Sequence, residues 1–228
     1  SGRNVFIDLG ANCGNSYRKL KGQHKFPGKW EIYLWEANPQ MVEFYLQDLA
    51  KTDAQVQIVP LAAWISNKKM SFYLTKGQDG NITDITDFKA HKCNPQSNYQ
   101  PAGASSLFSG GGNNSDDKRR KTSIYRAGKE IKVNAVDFNA WLADKTMVAA
   151  DNVILKIDIE GAEIPLLRHM LHFDQICLVD HLFVEWHSWM MLEPGRTEAK
   201  KFEDECLDMI TKKCGKTRIE GLSRALSL

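Results

Sequence analysis

No apolar run in this 228-residue sequence approaches the roughly 20 residues that a membrane-crossing helix needs, so an integral helical membrane protein is excluded. An excess of charge is also missing. Lys+Arg 30 against Asp+Glu 28 leaves a formal net charge of +2, too mild to argue for a nucleic acid or an anionic membrane as partner. Cysteine is sparse and scattered: Cys13, Cys93, Cys177, Cys206 and Cys214 are odd in number and form no close pair of the zinc or redox kind. Reduced thiols and a cytoplasmic location are therefore expected. Asn81-Ile82-Thr83 and Asn113-Asn114-Ser115 match the glycosylation acceptor pattern, which matters only in a secreted chain. Collagen-like and disulfide-scaffold compositions are absent. With 43% hydrophobic and 25% charged residues, the composition is that of an ordinary globular domain. There is no initiator Met, and apolar residues begin at Val5, so a domain excised from a longer protein is expected.

Strand and helix patterns alternate along the chain. Val5 to Leu9 and Glu31 to Trp35 read as short buried strands, Val56 to Leu61 as a third and Met70 to Thr75 as a fourth. Between the second and third, Asn38 suits a helix cap, Pro39 the first helical position, and Val42, Tyr45, Leu46 and Leu49 recur at helical spacing. Residues 76–129 change character, with three consecutive glycines and the basic run Lys118 to Lys121, and read as a long acceptor-side insertion in a single domain spanning residues 1–228. Order resumes at Glu130 to Val136, where Asp137 is placed to cap a helix through Trp141 and Leu142. Val153 to Ile159 and His181 to Trp186 are further strand candidates. A helix is expected from Thr197 to Cys214, with Gly215 as its stop, and Thr217-Arg218-Ile219 offers one closing strand. This order predicts an α/β fold, a mostly parallel sheet with helices on both faces, with its ligand beyond the carboxyl ends of the strands.

Four motifs fall at such strand ends. In Asp8-Leu9-Gly10-Ala11-Asn12-Cys13-Gly14, Gly10 and Gly14 allow a sharp turn and close approach to a ligand, and Asp8 can accept a hydrogen bond from an ammonium. Asn12 replaces the second glycine of a dinucleotide fingerprint, and the acid disfavours a phosphate, so S-adenosylmethionine is preferred over NAD. Glu36, ending the second strand, can accept two ribose hydroxyls. Lys156-Ile157-Asp158-Ile159-Glu160-Gly161-Ala162-Glu163 puts Lys156, Asp158 and Glu160 on one face if the strand extends that far; a Lys156 salt bridge with helix-capping carboxylates is the plainer alternative. Finally, Glu185 and His187 share a face after the next strand.

In order and spacing these four motifs resemble the FkbM family of methyltransferases. Weaker echoes are Val59-Pro60-Leu61-Ala62-Ala63, Ala104-Ser105-Ser106-Leu107 and Val136-Asp137-Phe138. The resemblance covers about residues 4 to 190 and implies a class I, Rossmann-like fold. It also implies S-adenosylmethionine as cofactor and methylation of hydroxyl oxygens on sugars or polyketide-type natural products. By position, Asp8, Gly10, Asn12 and Gly14 would line the methionine end of the cofactor. Glu36 would take the ribose, Ala62 would lie near the adenine, Asp158 would face the transferred methyl, and Ala37 would also bind the cofactor. Ser105 and Ser106 would close over the cofactor.

A hydroxyl is a poor nucleophile until its proton leaves, so a base or an acidifying metal is needed. His187 is the first choice of base, with Asp158 or Glu185 next. A magnesium ion on Asp158, Glu160 and Glu185 is the competing route. The expected acceptor is a saccharide or glycan, with fusion to other glycan-processing domains as context. A small natural product, an RNA ribose or a non-catalytic binding role are the alternatives. The RNA reading is disfavoured because no Lys lies between Asp158 and Glu185.

Overall fold

A computed structural model describes residues 2–22, 28–75, 127–149, 151–191, 194–215 and 218–221. In chain order the elements are β1 (Asn4–Leu9), α1 (Asn15–Gly22), β2 (Glu31–Trp35), α2 (residues 39–52), β3 (Val56–Val59), β4 (Ala62–Trp64) and β5 (Lys68–Thr75). They continue with β6 (Ala127–Asp137), α3 (Phe138–Asp144), β7 (Asn152–Ile157), α4 (Glu163–His172), β8 (His181–Val184), α5 (Gly195–Cys214) and β9 (Arg218–Gly221). The main sheet runs β3-β2-β1-β7-β8-β9, with every neighbouring pair parallel. A smaller sheet, β4-β6-β5, stands beside it.

Parallel strands buried on both faces are mostly apolar, and β1 is so apart from Asn4 at its start and the buried Asp8 near its end. Alternation sends Phe6 to one face, among Tyr17, Ile32, Leu34 and Leu46. Val5, Ile7 and Leu9 go to the other, among Leu155, Ile157, Leu167 and Phe202. Thus α1 and α2 cover one face, and α3, α4 and α5 the other, as the α/β expectation required. Trp35 anchors the second face by edge contacts with Phe138 and Trp141, at centroid distances of 5.6 and 5.0 Å.

The caps form where expected. The Asn38 side chain accepts from the Gln40 N–H, and Asp137 accepts from Asn139 and Ala140. Gly215 ends α5 in the left-handed conformation, its N–H donating to the Thr211 carbonyl. Two elements differ from the expectation in more than their end residues. The strand expected from Val56 to Leu61 is cut short before Pro60, which has no N–H to give a ladder: β3 stops at Val59, and β4, starting at Ala62, belongs to the second sheet. Within α2, residues Val42–Leu46 form a π turn, which leaves Tyr45 only half-buried while Val42, Leu46 and Leu49 stay buried. The strands β5 and β6 pair antiparallel and flank residues 76–126, so the basic run and both glycosylation patterns lie outside the described residues.

The expectation of reduced thiols is corrected. Cys177 and Cys214 form a disulfide across 37 residues, with Cα atoms 5.0 Å apart, and Cys13 is disulfide-bonded as well. Sequence spacing could not reveal the first pair, because the fold of α4 and α5 brings the two sulfurs together. Among the described residues only Cys206 is a free thiol, and it is buried. No helix among the described residues is long and apolar enough to cross a membrane.

Candidate active site

From β1 the chain goes to β2 and β3 on one side of the sheet, and from β7 to β8 and β9 on the other. The order reverses between β1 and β7, and there two loops leave the carboxyl edge together. Backbone bonds tie the first loop to the end of β2 and the second to the end of β1. The Gly10 and Ala11 N–H groups donate to the Trp35 carbonyl at 3.1 and 2.8 Å, and the Asp158 N–H donates to the Leu9 carbonyl at 3.0 Å. Gly10 sits at φ +80°, and a Cβ there would meet the Asp158 carbonyl oxygen at 1.8 Å. Only glycine fits this crossing. Asn12 and Gly14 are also left-handed, at φ 51° and 78°, which curls the loop over the end of β2.

That curl brings Asn12 to Glu36. The Asn12 N–H donates to Glu36 Oε2 at 2.8 Å, and the Asn38 N–H donates to Oε1 at 2.7 Å. Glu36 is buried; burial pushes its pKa up to about 7, against the pull of the two backbone donors. Each carboxylate oxygen keeps a lone pair for a further donor. Beside it, Ala37 and Ala62 pack into one small apolar cluster with Trp64, Ile159 and Ala162.

Parallel register sets Asp8 opposite Lys156. The buried Lys156 ammonium donates to Asp8 Oδ1 at 2.8 Å and to the Gly10 carbonyl at 3.2 Å, and lies 3.3 Å from Asp158 Oδ2. Burial pushes the Asp8 carboxyl up while Lys156 pulls it back. Burial works against the Lys156 charge, yet Asp8 and Asp158 hold its pKa above the usual lysine range. Asp8 Oδ2, also buried, has no hydrogen-bond partner among the described residues. The plainer sequence alternative therefore holds for Lys156, which is a salt-bridged lysine that joins the two loops.

Strand β7 ends at Ile157, so Asp158 and Glu160 lie on the loop beyond it, with Glu160 at φ 54°. Glu163 begins α4 and is fully buried, accepting from the Ile159 N–H at 2.9 Å and the Gly161 N–H at 3.0 Å. It also binds His187 Nδ1 at 3.0 Å. This fixes the ring so that His187 Nε2 faces Glu160 Oε2 at 3.4 Å and Glu185 Oε1 at 4.0 Å. Burial opposes the imidazolium, but the Glu163 bond and the carboxylates outweigh it and raise the pKa of His187. Burial likewise raises Glu160, against the attraction of His187. Burial and the Asp158 charge raise Glu185, which stands half exposed at the rim. Glu160, pushed up to about 8, and His187, raised to about 10, thus each hold a proton near neutrality.

The structure gathers Asp8, Gly10, Asn12, Gly14, Glu36, Ala37 and Ala62 around the ends of β1 and β2, and Glu160, Glu185 and His187 beyond β7 and β8, with Asp158 between the two groups. Ser105 and Ser106 lie outside the described residues. Sequence reasoning missed Glu163 as the partner of His187. An acid at the start of an otherwise apolar helix, just after the Glu160-Gly161 turn, was the available signal. Asp158, Glu160 and His187 each offer a ligand atom within 4.8 Å of the others and could hold a cation.

Compared with known families, the sequence matches the methyltransferase FkbM domain over residues 8–216, a span that holds every candidate site residue above. No match was found among curated proteins or among solved structures. The family match runs over most of the chain and begins at Asp8 itself, and the chain belongs to the FkbM methyltransferase family.

Proposed function

We propose that this methyltransferase uses S-adenosylmethionine to methylate a hydroxyl oxygen of a sugar or glycan. The observation that carries the cofactor reading is the Asp8–Gly10–Glu36 arrangement. Asp8 Oδ2 is a buried oxygen lacking a partner, fit for an ammonium. The Gly10 crossing admits no Cβ, and Glu36 retains acceptor capacity for ribose hydroxyls between Asn12 and Asn38. Ala37 and Ala62 supply an apolar wall suited to the adenine. NAD is disfavoured for the reason given by the motif, an acid and Asn12 where a pyrophosphate loop has glycine.

When bound, S-adenosylmethionine supplies a methyl group activated by its sulfonium. The chain's own work is to orient the acceptor hydroxyl and remove its proton. Asp158, at the exit of β7, positions the hydroxyl between the cofactor loop and His187. Glu163 holds His187 by Nδ1 and leaves Nε2 as the working nitrogen. His187 takes the acceptor's proton once its own Nε2 proton has moved to Glu160, 3.4 Å away, with Asp158 and Glu185 as the alternative acceptors. The near-neutral charge supports an uncharged acceptor over RNA.

The disulfides support an oxidising compartment in place of the expected cytoplasm. A glycan acceptor fits such a compartment. The test is S-adenosylhomocysteine release across mono- and oligosaccharides, with and without magnesium. Release above the acceptor-free background is expected for at least one sugar. Release confined to non-sugar polyhydroxylated natural products would contradict the glycan reading.

A further inference from the structure

We propose that Asp158, Glu160 and His187 form a seat for one divalent cation of the manganese–magnesium class, with His187 Nε2 as a ligand where Glu185 was expected. Its role in methyl transfer rests on the cofactor reading above; its existence does not. The three ligand atoms come from two separate strand exits and lie within 4.8 Å of one another, the spacing a single ion spans. They sit at the carboxyl edge of the sheet, where Gly10 and the cofactor loop also end.

The imidazole is the observation that distinguishes this site from a plain acidic cluster. The His187 side chain is only 6% exposed, and its hydrogen bond is made through Nδ1. Nε2 is aimed between carboxylates, and its distances of 3.4 Å to Glu160 and 4.0 Å to Glu185 are ion-pair separations without a hydrogen bond. A metal-ligating histidine characteristically gives its other nitrogen to a carboxylate, which sets the ring and its basicity. Glu163 does this here and is itself fastened by the Ile159 and Gly161 N–H groups, so the ring cannot turn away. Glu185 fits the ligand role less well, being half exposed and 4.0 Å from Nε2.

Two carboxylates and one imidazole are a mixed oxygen–nitrogen set. Carboxylates suit manganese and magnesium, and manganese also accepts imidazole, so it is the best probe. Three protein ligands leave coordination positions open for a hydroxyl of the acceptor. The cation held by Asp158, Glu160 and His187 would acidify an acceptor hydroxyl, and Glu185 at the rim would be placed to take its proton before the oxygen accepts the methyl group of S-adenosylmethionine. The cation then occupies the place of the Nε2 proton, and His187 serves as ligand instead of base.

The experiment is titration of manganese alone into the full chain, followed by its electron paramagnetic resonance and by calorimetry. S-adenosylhomocysteine binding is measured on the same samples. One site tighter than about 1 mM is expected, weakened about 100-fold or more in His187→Ala and in Glu160→Gln, and about 10–100-fold in Glu163→Gln. Glu160→Gln, at a partly exposed loop position, guards against a folding defect in His187→Ala. Absence of a site tighter than 1 mM overturns the proposal. So does binding that survives His187→Ala but is lost in Glu185→Gln, because the ion then sits on carboxylates alone. Manganese bound without S-adenosylhomocysteine upholds the seat and overturns the cofactor reading.

Discussion

Replacing Glu36 by Gln separates the stability role of this carboxylate from its binding role. In the fold its pKa is pushed up to about 7 from 4.5, because burial outweighs the donors at Asn12 and Asn38. A difference of about 2.5 units at about 1.36 kcal/mol per unit is about 3 kcal/mol. The sign follows from proton counting. Between pH 4.5 and 7 the folded chain holds a proton that the unfolded chain has lost. The stabilisation is therefore complete below 4.5 and gone above 7. Urea unfolding of wild type and Glu36→Gln at a series of pH values from 4.5 to 8 reads this directly. The wild-type-minus-variant difference should fall by about 3 kcal/mol across the window, whatever other groups do. Binding should change the opposite way. Ribose hydroxyls donate best to the ionised carboxylate, so wild-type affinity for S-adenosylhomocysteine should rise with pH towards 7 and then level. The variant should bind about 10–100-fold more weakly at pH 8, with no such rise, if ribose contacts are worth about 1.4–2.8 kcal/mol. A variant with the wild-type pH slope in both assays would refute this reasoning.

Three further outcomes are expected. Gly10→Ala places a Cβ 1.8 Å from the Asp158 carbonyl at φ +80°, and calorimetry should show S-adenosylhomocysteine binding lost by at least 100-fold. Lys156→Met leaves buried Asp8 without its cation and should cost about 3–5 kcal/mol in urea unfolding, whereas a surface change such as Lys51→Met should cost almost nothing. Reduction of the Cys177–Cys214 bond, which closes 37 residues, should remove up to about 4 kcal/mol and lower the melting temperature by about 8–16 °C. Alkylation of the unfolded, unreduced chain should leave Cys177 and Cys214 unlabelled and label Cys206.

Much of the sheet was legible because β1, β2 and β7 are short apolar runs ended by glycine, asparagine or acid, and local pattern alone specifies such elements. The meeting of Asp8, Gly10 and Glu36 was legible for the same reason: Asp8 and Gly10 lie at the end of β1 and Glu36 just past β2, and parallel strands place their ends together. The cysteine chemistry was not, since Cys177 and Cys214 meet only after α4 and α5 have packed. Nor was the partner of His187. Glu163 reaches it across the loop from a different strand exit, and no spacing in the chain records that contact. For Lys156 the sequence offered a salt bridge as the plainer alternative to a shared face with Asp158 and Glu160, and only the register with β1 names Asp8 as its partner. In each missed case the decisive contact is long-range in sequence.

The central claim is that the edge between β1 and β7 is an S-adenosylmethionine site. Calorimetric titration of the wild-type chain with S-adenosylmethionine, and separately with NAD, tests it most directly. The account expects one molecule of S-adenosylmethionine bound per chain, with micromolar affinity, and no measurable binding of NAD. Saturable NAD binding, or a chain that binds neither, would contradict it.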